Sequence, residues 1–261
     1  MKTWLNNSML IDSHCHIDVD AFDHDREQVI SRARDLGVAK IIVPAIQASS
    51  WKNQLELCQQ YESLYPAFGL HPLFQDIHKE SDLKLLEQYV KKYSPIAIGE
   101  IGLDFYMDNF DRDSQIYFLK RQLTLAQQSD LPVILHVRKA HDQMLSCLKP
   151  FNLKGGICHA FNGSIQQAEQ YISLGFKLGF GGMLTYSRST KLRMLAQSIP
   201  LESIVLETDA PDMTVASHKG ERNSPEYLPE CLCALSELRE QDIEEVAAIT
   251  TKNCLDLFDL V

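Results

Sequence analysis

Histidines and carboxylates recur at the ends of short apolar segments in this sequence of 261 residues. His14 and His16 follow the first such segment, and Glu207 and Asp209 follow the last one. Residues i and i+2 of an extended chain point to the same side, so the members of each pair can reach one ion or one pocket. The other candidates of this kind are His71, Glu100, His136 and His159. Neutral imidazole and carboxylate are ligands of zinc, manganese and similar divalent ions, so the pattern predicts a metal centre.

The number of candidate ligands indicates more than one ion. Four of these five histidines with two or three carboxylates already exceed what a single tetrahedral ion requires. Two divalent ions bridged by a carboxylate would use all of them, and such pairs of ions catalyse hydrolysis in many enzymes. We therefore expect two divalent ions as cofactors, with Mg²⁺, Mn²⁺, Zn²⁺ and Co²⁺ as the candidates.

The apolar segments that precede these residues are typical of parallel strands buried on both faces. The predicted strands span 9–12, 40–44, 66–70, 95–99, 132–135, 155–158, 175–180 and 203–206. Amphipathic stretches between them predict helices over 25–36, 51–63, 82–93, 113–129, 141–148, 165–174, 189–198 and 225–238, with an extra C-terminal helix over 242–257. Strands that alternate with helices in this number predict an α/β fold, a (β/α)₈ TIM barrel formed as a single domain over 1–261. The alternative is an open doubly wound sheet, but no G-x-G-x-x-G phosphate loop follows the first strand.

Composition restricts the partners and the compartment. Lys and Arg number 25 against 35 Asp and Glu, so the net charge of −10 excludes a globally basic nucleic-acid-binding surface, although it allows a local basic patch. No apolar run approaches the roughly 18 residues of a membrane helix, and the first residues lack the apolar core of a secretory signal. Seven scattered cysteines fit reduced thiols. We expect a cytoplasmic protein that has no membrane partner.

Three segments resemble the signature segments of the TatD family of metal-dependent hydrolases: IDSHCHID (11–18), GEIGLDFY (99–106) and LETDAP (206–211). The segments GLHP (69–72), VILHVR (133–138) and GERNSP (220–225) add to the match. The resemblance runs in order from residue 10 to the last helix. It implies an amidohydrolase-like TIM barrel and a divalent-metal-dependent deoxyribonuclease, often a 3′→5′ exonuclease.

The resemblance also implies roles for individual residues. One ion would be held by His14, His16, Glu100 and Asp209, and the second by Glu100, His136 and His159, with Glu100 bridging. In this arrangement Asp209 is the expected proton acceptor, and Glu207 could be a ligand, a base or a partner that orients a ligand. After the histidine of strand six the family usually has Cys-Phe-Ser-Gly-Ser, whereas this chain has AFNGS (160–164). Ala160 and Asn162 could therefore alter the fit of the substrate.

Residues on the same rim are candidates for binding substrate phosphates. Arg138 follows His136 by two residues, and Arg222 and Asn223 lie in the long loop after strand eight. Arginine suits bidentate contact with phosphate. His71 could donate a hydrogen bond to a phosphate or to the leaving group. The expected substrate is a DNA end or single-stranded DNA, and no obligate protein partner is indicated.

Two other functions compete with this one. The same ligands could serve hydrolysis of another ester, an amide or a different phosphoester, because one barrel supports many reactions. A non-catalytic scaffold or nucleic-acid-binding module is the third hypothesis. The intact ligand set and the net charge of −10 argue against it.

Overall fold

The computed structural model describes residues 9–106 and 111–260. The strands are β1 (Leu10–Asp12), β2 (Val38–Pro44), β3 (Leu64–Phe68), β4 (Ala97–Asp104), β5 (Val133–Arg138), β6 (Gly156–Cys158), β7 (Phe176–Phe180) and β8 (Ile204–Leu206). The helices are α1 (Arg26–Asp35), α2 (Trp51–Gln60), α3 (Glu80–Tyr93), α4 (Arg112–Ser129), α5 (His141–Leu148), α6 (Ile165–Ser173), α7 (Thr190–Ser198), α8 (Leu228–Arg239) and α9 (Ile243–Phe258). The predicted alternation of strands and helices is confirmed, and α9 is the expected extra helix.

The eight strands form one sheet in which they follow each other in sequence order, β1 to β8. Strands β1 and β2 pair in parallel, and so does every successive pair from β3·β4 to β6·β7. Parallel strands that are covered on both faces are hydrophobic throughout, and β8 and β1 are buried at every position.

Strand β4 is longer than predicted. It continues past Gly99 to Asp104, and all of its residues are buried. Glycines weaken a strand pattern in the sequence, but in the structure they allow close packing of neighbouring backbone. A Cβ on Gly102 would lie only 1.9 Å from the carbonyl oxygen of His136 on β5. Glu100 and Asp104 are therefore strand residues, and the alternation of a strand points them to one side.

The chain divides into two compact units. The terminal unit combines the chain up to Val43 with the chain from Gly179 onward, and the central unit is Pro44–Leu178. The prediction of a single domain over 1–261 stays a prediction.

In the terminal unit, α9 holds the starts of two strands through buried polar side chains. Thr251 Oγ1 donates to the carbonyl oxygen of Met9 at 2.6 Å, directly before β1. Asn253 Nδ2 donates to the carbonyl oxygens of Leu201 and Ile204 at 2.9 and 2.7 Å, at the start of β8. These bonds give the backbone carbonyls at the starts of β1 and β8 side-chain hydrogen-bond donors.

In the central unit, α4 supplies two buried glutamines that are seven residues apart and so lie on one face of the helix. Gln115 accepts from the backbone N–H of Asp104 at 2.8 Å and donates to its carbonyl oxygen at 3.0 Å. Gln122 makes the same pair of bonds to Leu70, at 2.8 and 3.3 Å. The helix thus fixes the backbone just after β3 and at the end of β4.

Among the residues that the structure describes, no helix is both long enough and apolar enough to cross a membrane.

Candidate metal centre

In the terminal unit, the segments after β1 and β8 are tied together by crossed backbone hydrogen bonds. The N–H of His16 donates to the carbonyl oxygen of Ala210, and the N–H of Asp209 donates to that of His14, both at 2.8 Å. The Nε2 atoms of His14 and His16 lie 3.2 Å apart. Asp209 Oδ1 is 3.5 Å from the first and 3.7 Å from the second. Three predicted ligands therefore present their ligand atoms to one point.

Asp12, the last residue of β1, is hydrogen-bonded to both of these segments. Its fully buried carboxylate accepts from Thr208 Oγ1 at 2.6 Å, from the N–H of Thr208 at 3.0 Å and from the N–H of His14 at 3.2 Å. Burial raises the pKa of Asp12 to about 7, although these hydrogen bonds oppose the rise. Asp12 therefore fixes the backbone at His14 and at Thr208, the residue before Asp209.

Glu207 is buried against β7. A Cβ on Gly179 would lie 2.1 Å from Glu207 Oε2, and one on Gly181 would lie 2.7 Å from the Glu207 carbonyl oxygen. Glycine at both positions makes room for the glutamate. The three roles predicted for Glu207 stay predictions.

In the central unit, the side chain of Glu100 is surrounded by three imidazoles. Its Oε1 atom lies 2.9 Å from His159 Nε2, 3.1 Å from His136 Nδ1 and 3.1 Å from His71 Nε2. Glu100 is only 1% exposed. Imidazole nitrogens and a carboxylate oxygen in this arrangement match the ligand chemistry of a divalent ion. The structure brings together three predicted ligands, Glu100, His136 and His159, and adds His71.

Asp104 sets the orientation of His136. Its Oδ2 atom lies 3.0 Å from His136 Nε2, so the other ring nitrogen faces Glu100. Burial alone would raise the pKa of Asp104, but hydrogen bonds from His136 and the N–H of Tyr106 hold that pKa below its ordinary value. Burial alone would lower the pKa of His136, but the carboxylates of Asp104 and Glu100 raise it. Metal-binding histidines commonly have such a carboxylate behind them.

Asp104 lies within the motif GEIGLDFY, but the sequence alone indicated no role for it. The signal is its spacing of four residues from Glu100, which places both side chains on one side of a strand. The predicted strand ends at residue 99, so the sequence alone did not place Glu100 and Asp104 on one strand. The longer β4 of the structure does so.

His71 has both ring nitrogens engaged. Its Nδ1 atom accepts from the N–H of Leu73 at 3.1 Å, so in the neutral ring Nε2 carries the proton and donates to Glu100. The His71 carbonyl oxygen accepts from His78 Nε2 at 2.9 Å. The contact of His71 with substrate stays a prediction. In this structure the ring of His71 is hydrogen-bonded to Glu100.

The three other candidates for substrate binding have different surroundings. Arg138 is exposed, and its guanidinium lies 3.7 Å from the ring centre of Tyr106. Arg222 instead makes two bonds of 2.8 and 2.7 Å to the carboxylate of Asp25. Substrate contact by Arg222 stays a prediction, and its guanidinium ties the loop after β8 to the start of α1.

Asn223 is buried in the same loop. Its Nδ2 atom donates to the carbonyl oxygens of Thr208 and Asp212 at 2.8 and 2.6 Å. The side chain holds the backbone on both sides of Asp209. Substrate contact by Asn223 stays a prediction.

One protein family and several individual proteins are similar to this chain. The family model for TatD related DNases matches residues 11–259. YjjV of Escherichia coli K12, described as an uncharacterized metal-dependent hydrolase, is 42% identical over 96% of this chain and 98% of its own length. The 3′-5′ ssDNA/RNA exonuclease TatD of Erwinia amylovora is 32% identical over 92% of this chain and 95% of its own length.

Solved structures similar to this one support the fold. The crystal structure of YjjV, a TatD homologue of Escherichia coli K12, has a TM-score of 0.93 at 41% identity and covers 97% of this chain and 98% of that one. An uncharacterized amidohydrolase of Saccharomyces cerevisiae has a TM-score of 0.83 at 18% identity over 96% of this chain and 99% of that one, a likeness of fold alone. Together with the alternation of strands and helices, these likenesses confirm the predicted (β/α)₈ barrel.

Proposed function

Because the chain belongs to the family of TatD related DNases, we propose that it is a metal-dependent deoxyribonuclease that removes nucleotides from the 3′ end of single-stranded DNA. The hydrolase class follows the family, and the polarity and substrate follow the relative that is named a 3′-5′ ssDNA/RNA exonuclease. RNA ends share the scissile phosphodiester chemistry and belong to the same test.

The observation that carries the proposal is the environment of Glu100. A buried carboxylate oxygen within 3.1 Å of three imidazole nitrogens is a costly arrangement for a protein to keep for packing alone. It is explained if Glu100, His136 and His159 hold a divalent ion. We propose that His14, His16 and Asp209 hold another, with Mg²⁺, Mn²⁺, Zn²⁺ and Co²⁺ as the candidate ions. The bridging role of Glu100 stays a prediction.

Bound divalent ions would supply Lewis acidity, which polarises a phosphoryl oxygen and makes water more acidic. The chain's own groups do the rest. Asp209, whose carboxylate lies beside the His14 and His16 nitrogens, would take the proton of the attacking water at a carboxylate oxygen while the phosphorus–oxygen bond to the leaving group breaks. Asp104 keeps a proton on His136 Nε2, so that Nδ1 offers its lone pair. Arg138 supplies positive charge for a substrate phosphate.

A cytoplasmic location is part of the proposal. It is supported by the cysteines, none of which forms a disulfide in the described part of the chain.

The proposal is tested with end-labelled oligonucleotides. Protein stripped with a chelator should cleave neither strand end, and added Mn²⁺ should restore shortening that starts at the 3′ end. Substitution Glu100→Ala should abolish this activity, whereas Glu87→Ala, at an exposed glutamate of α3, should leave it unchanged. Hydrolysis that needs no metal and survives Glu100→Ala would overturn the proposal. Metal-dependent hydrolysis of small phosphoesters without any cleavage of oligonucleotides would favour the alternative hydrolase.

A further inference from the structure

Two cations share one exposed aromatic ring in the central unit. The Arg138 guanidinium lies 3.7 Å from the ring centre of Tyr106, and the Lys139 ammonium lies 4.6 Å from it. The ring is 46% exposed. We call these three residues the Tyr106 cluster.

The Tyr106 cluster begins where the ligand-bearing strands end. In the register of β4 and β5, Gly102 pairs with His136 and Asp104 pairs with Arg138. The cluster is thus two residues beyond His136 on β5 and two residues beyond Asp104 on the other chain segment. The cluster therefore lies just beyond the strand residues that carry these candidate ligands.

The backbone leaves the extended conformation of β5 at Lys139. Successive residues of a strand point to opposite sides, but Lys139 has a φ of 52°, in the left-handed region. A non-glycine residue in this region is strained. The turn carries Lys139 back to the ring that Arg138 already covers. Strain of this kind gathers at functional sites.

Within 9–106 and 111–260, neither Arg138 nor Lys139 forms an ion pair. Arg138 does lower the pKa of Asp104, but the oxygens of that carboxylate are bonded to His136 and to the N–H of Tyr106.

A second arginine–tyrosine pair in the same unit shows the contrast. On α4, the Arg121 guanidinium lies 5.9 Å from the ring centre of Tyr117 and donates to its hydroxyl at 2.8 Å. Its Nη1 atom is 3.6 Å from Glu80 Oε2, so this arginine is paired with an acid. Arg138 and Lys139, by contrast, form no ion pair within the described residues.

From these observations we propose that the Tyr106 cluster binds a phosphate group of single-stranded nucleic acid, next to the phosphodiester that is cleaved. The ring fixes the plane of the guanidinium by cation–π contact and leaves the N–H groups at its edge for phosphate oxygens. Lys139 adds a second charge to the same phosphate or its neighbour. The inference rests on the proposed function, since it names the part of the site that holds the substrate strand.

Binding of a fluorescein-labelled single-stranded oligonucleotide tests the inference. Anisotropy is measured in chelator, where no cleavage is expected, over a series of salt concentrations. Each cation removed by Arg138→Gln or Lys139→Gln should weaken binding by about fivefold. The slope of log Kd against log salt should fall by about 0.7 for each one, as expected for a lost contact with a single strand. With Mn²⁺ present, KM should rise while kcat changes little, because the contact is uniform along the reaction.

Matched variants separate the ring from the charge. Tyr106→Phe keeps the ring and should bind as the wild type does, whereas Tyr106→Leu should weaken binding about threefold. The controls are Arg121→Gln and Tyr117→Leu, which alter the other pair at a ring that is 42% exposed. They should change neither the affinity nor the salt slope. Circular dichroism and the melting temperature show whether each variant is folded.

The inference is overturned if the folded double variant of Arg138 and Lys139 keeps the wild-type affinity and salt slope. It is also overturned if the Arg121 control loses as much as Arg138→Gln does. If the cation variants lose the expected part of the salt slope but the wild type cleaves nothing, the proposed function is contradicted and the inference is supported. A wild type that cleaves 3′ ends while the double variant binds equally well does the reverse.

Discussion

At the level of single residues, two histidines of the central unit, His136 and His71, are oriented by the group on the far side of the ring. Asp104 faces one nitrogen of His136 at 3.0 Å and leaves the other for Glu100. The N–H of Leu73 faces one nitrogen of His71 and leaves the other to donate to Glu100. A ring nitrogen that accepts a hydrogen bond cannot also carry a proton in the neutral ring. The two histidines therefore meet Glu100 in fixed orientations.

Substitution of Asp104 by Asn tests this orientation. The charge behind His136 is lost while the size of the side chain is kept, and we expect divalent-ion affinity to fall by about 10- to 100-fold. Titration with Mn²⁺ by calorimetry measures it. Asp130→Asn is the control, because it makes the same chemical change at a residue just after α4, away from the ligands. Equal affinity of the two variants would show that Asp104 does not act through His136.

Substitution of His71 distinguishes two roles for this residue. If its Nε2–H positions Glu100, His71→Leu should lower metal affinity by about tenfold or more, and His71→Gln, which restores a donor, should recover part of it. A contact with substrate predicts the opposite division, a higher KM with unchanged metal affinity. Calorimetry with Mn²⁺ and steady-state kinetics on the same variants give both quantities. The matched control is His141→Leu, at a buried histidine that contacts Tyr171 and Asn162 instead.

At the level of elements, α4 does more than cover the sheet. A helix that packs on a sheet usually buries apolar side chains, but α4 also buries Gln115 and Gln122. Each amide is the right size to close two hydrogen bonds with one backbone residue, Asp104 or Leu70. These residues precede or follow the strand ends that carry the ligands. The two glutamines of α4 thus hold the backbone directly before His71 and four residues after Glu100.

Removal of one of these amides should be costly. Gln122→Leu leaves the buried N–H and carbonyl of Leu70 without their partners, and we expect the free energy of unfolding to fall by about 1–3 kcal/mol. Urea denaturation measures it. Gln128→Leu makes the same change at an exposed position of α4 and should stay within about 0.5 kcal/mol of the wild type. A loss of the same size in both variants would mean that the two bonds to Leu70 do not account for the cost.

The order of elements was predictable from the sequence, because buried parallel strands and amphipathic helices differ in the period of their apolar residues. The grouping of the candidate ligands was predictable for a related reason: these residues end the apolar runs, and parallel strands end at one edge. Their role as ligands stays a prediction. The extension of β4 to Asp104 was not, since glycines at 99 and 102 weaken a strand pattern. The roles of Gln115 and Gln122 were also hidden, because polar residues on a helix are usually exposed.

At the level of the whole molecule, the net charge of −10 disfavours binding to DNA through the general surface. Part of that charge belongs to Glu100, Asp209, Asp104 and Glu207, where bound cations would offset it. Arg222 shows why sequence position alone did not separate binding residues from structural ones. Arg222 lies in the loop after β8, as predicted. Its guanidinium, however, donates two hydrogen bonds to Asp25, which is far away in the sequence.

Ion binding should appear as global stabilisation. A ligand that binds the folded chain alone adds about 2.7 kcal/mol at a concentration of one hundred times its Kd. We expect chelator-treated protein to gain stability of this size with Mn²⁺, measured by denaturant unfolding with and without the ion. His14→Ala should reduce the gain, and His24→Ala, at an exposed histidine, should keep it. Because the gain is a difference for each variant, the cost of the substitution itself cancels. An equal gain in both would contradict the assignment of His14.

The crossed bonds between the segments after β1 and β8 have a consequence for hydrogen exchange. The amide hydrogens of His16 and Asp209 point in opposite directions, each to a carbonyl of the other segment. Neither can meet solvent until the two segments part, and parting breaks both bonds in one event. The two amides should therefore share one opening free energy and exchange as a single unit. His14, His16 and Asp209 would then be assembled or dispersed together, never one at a time.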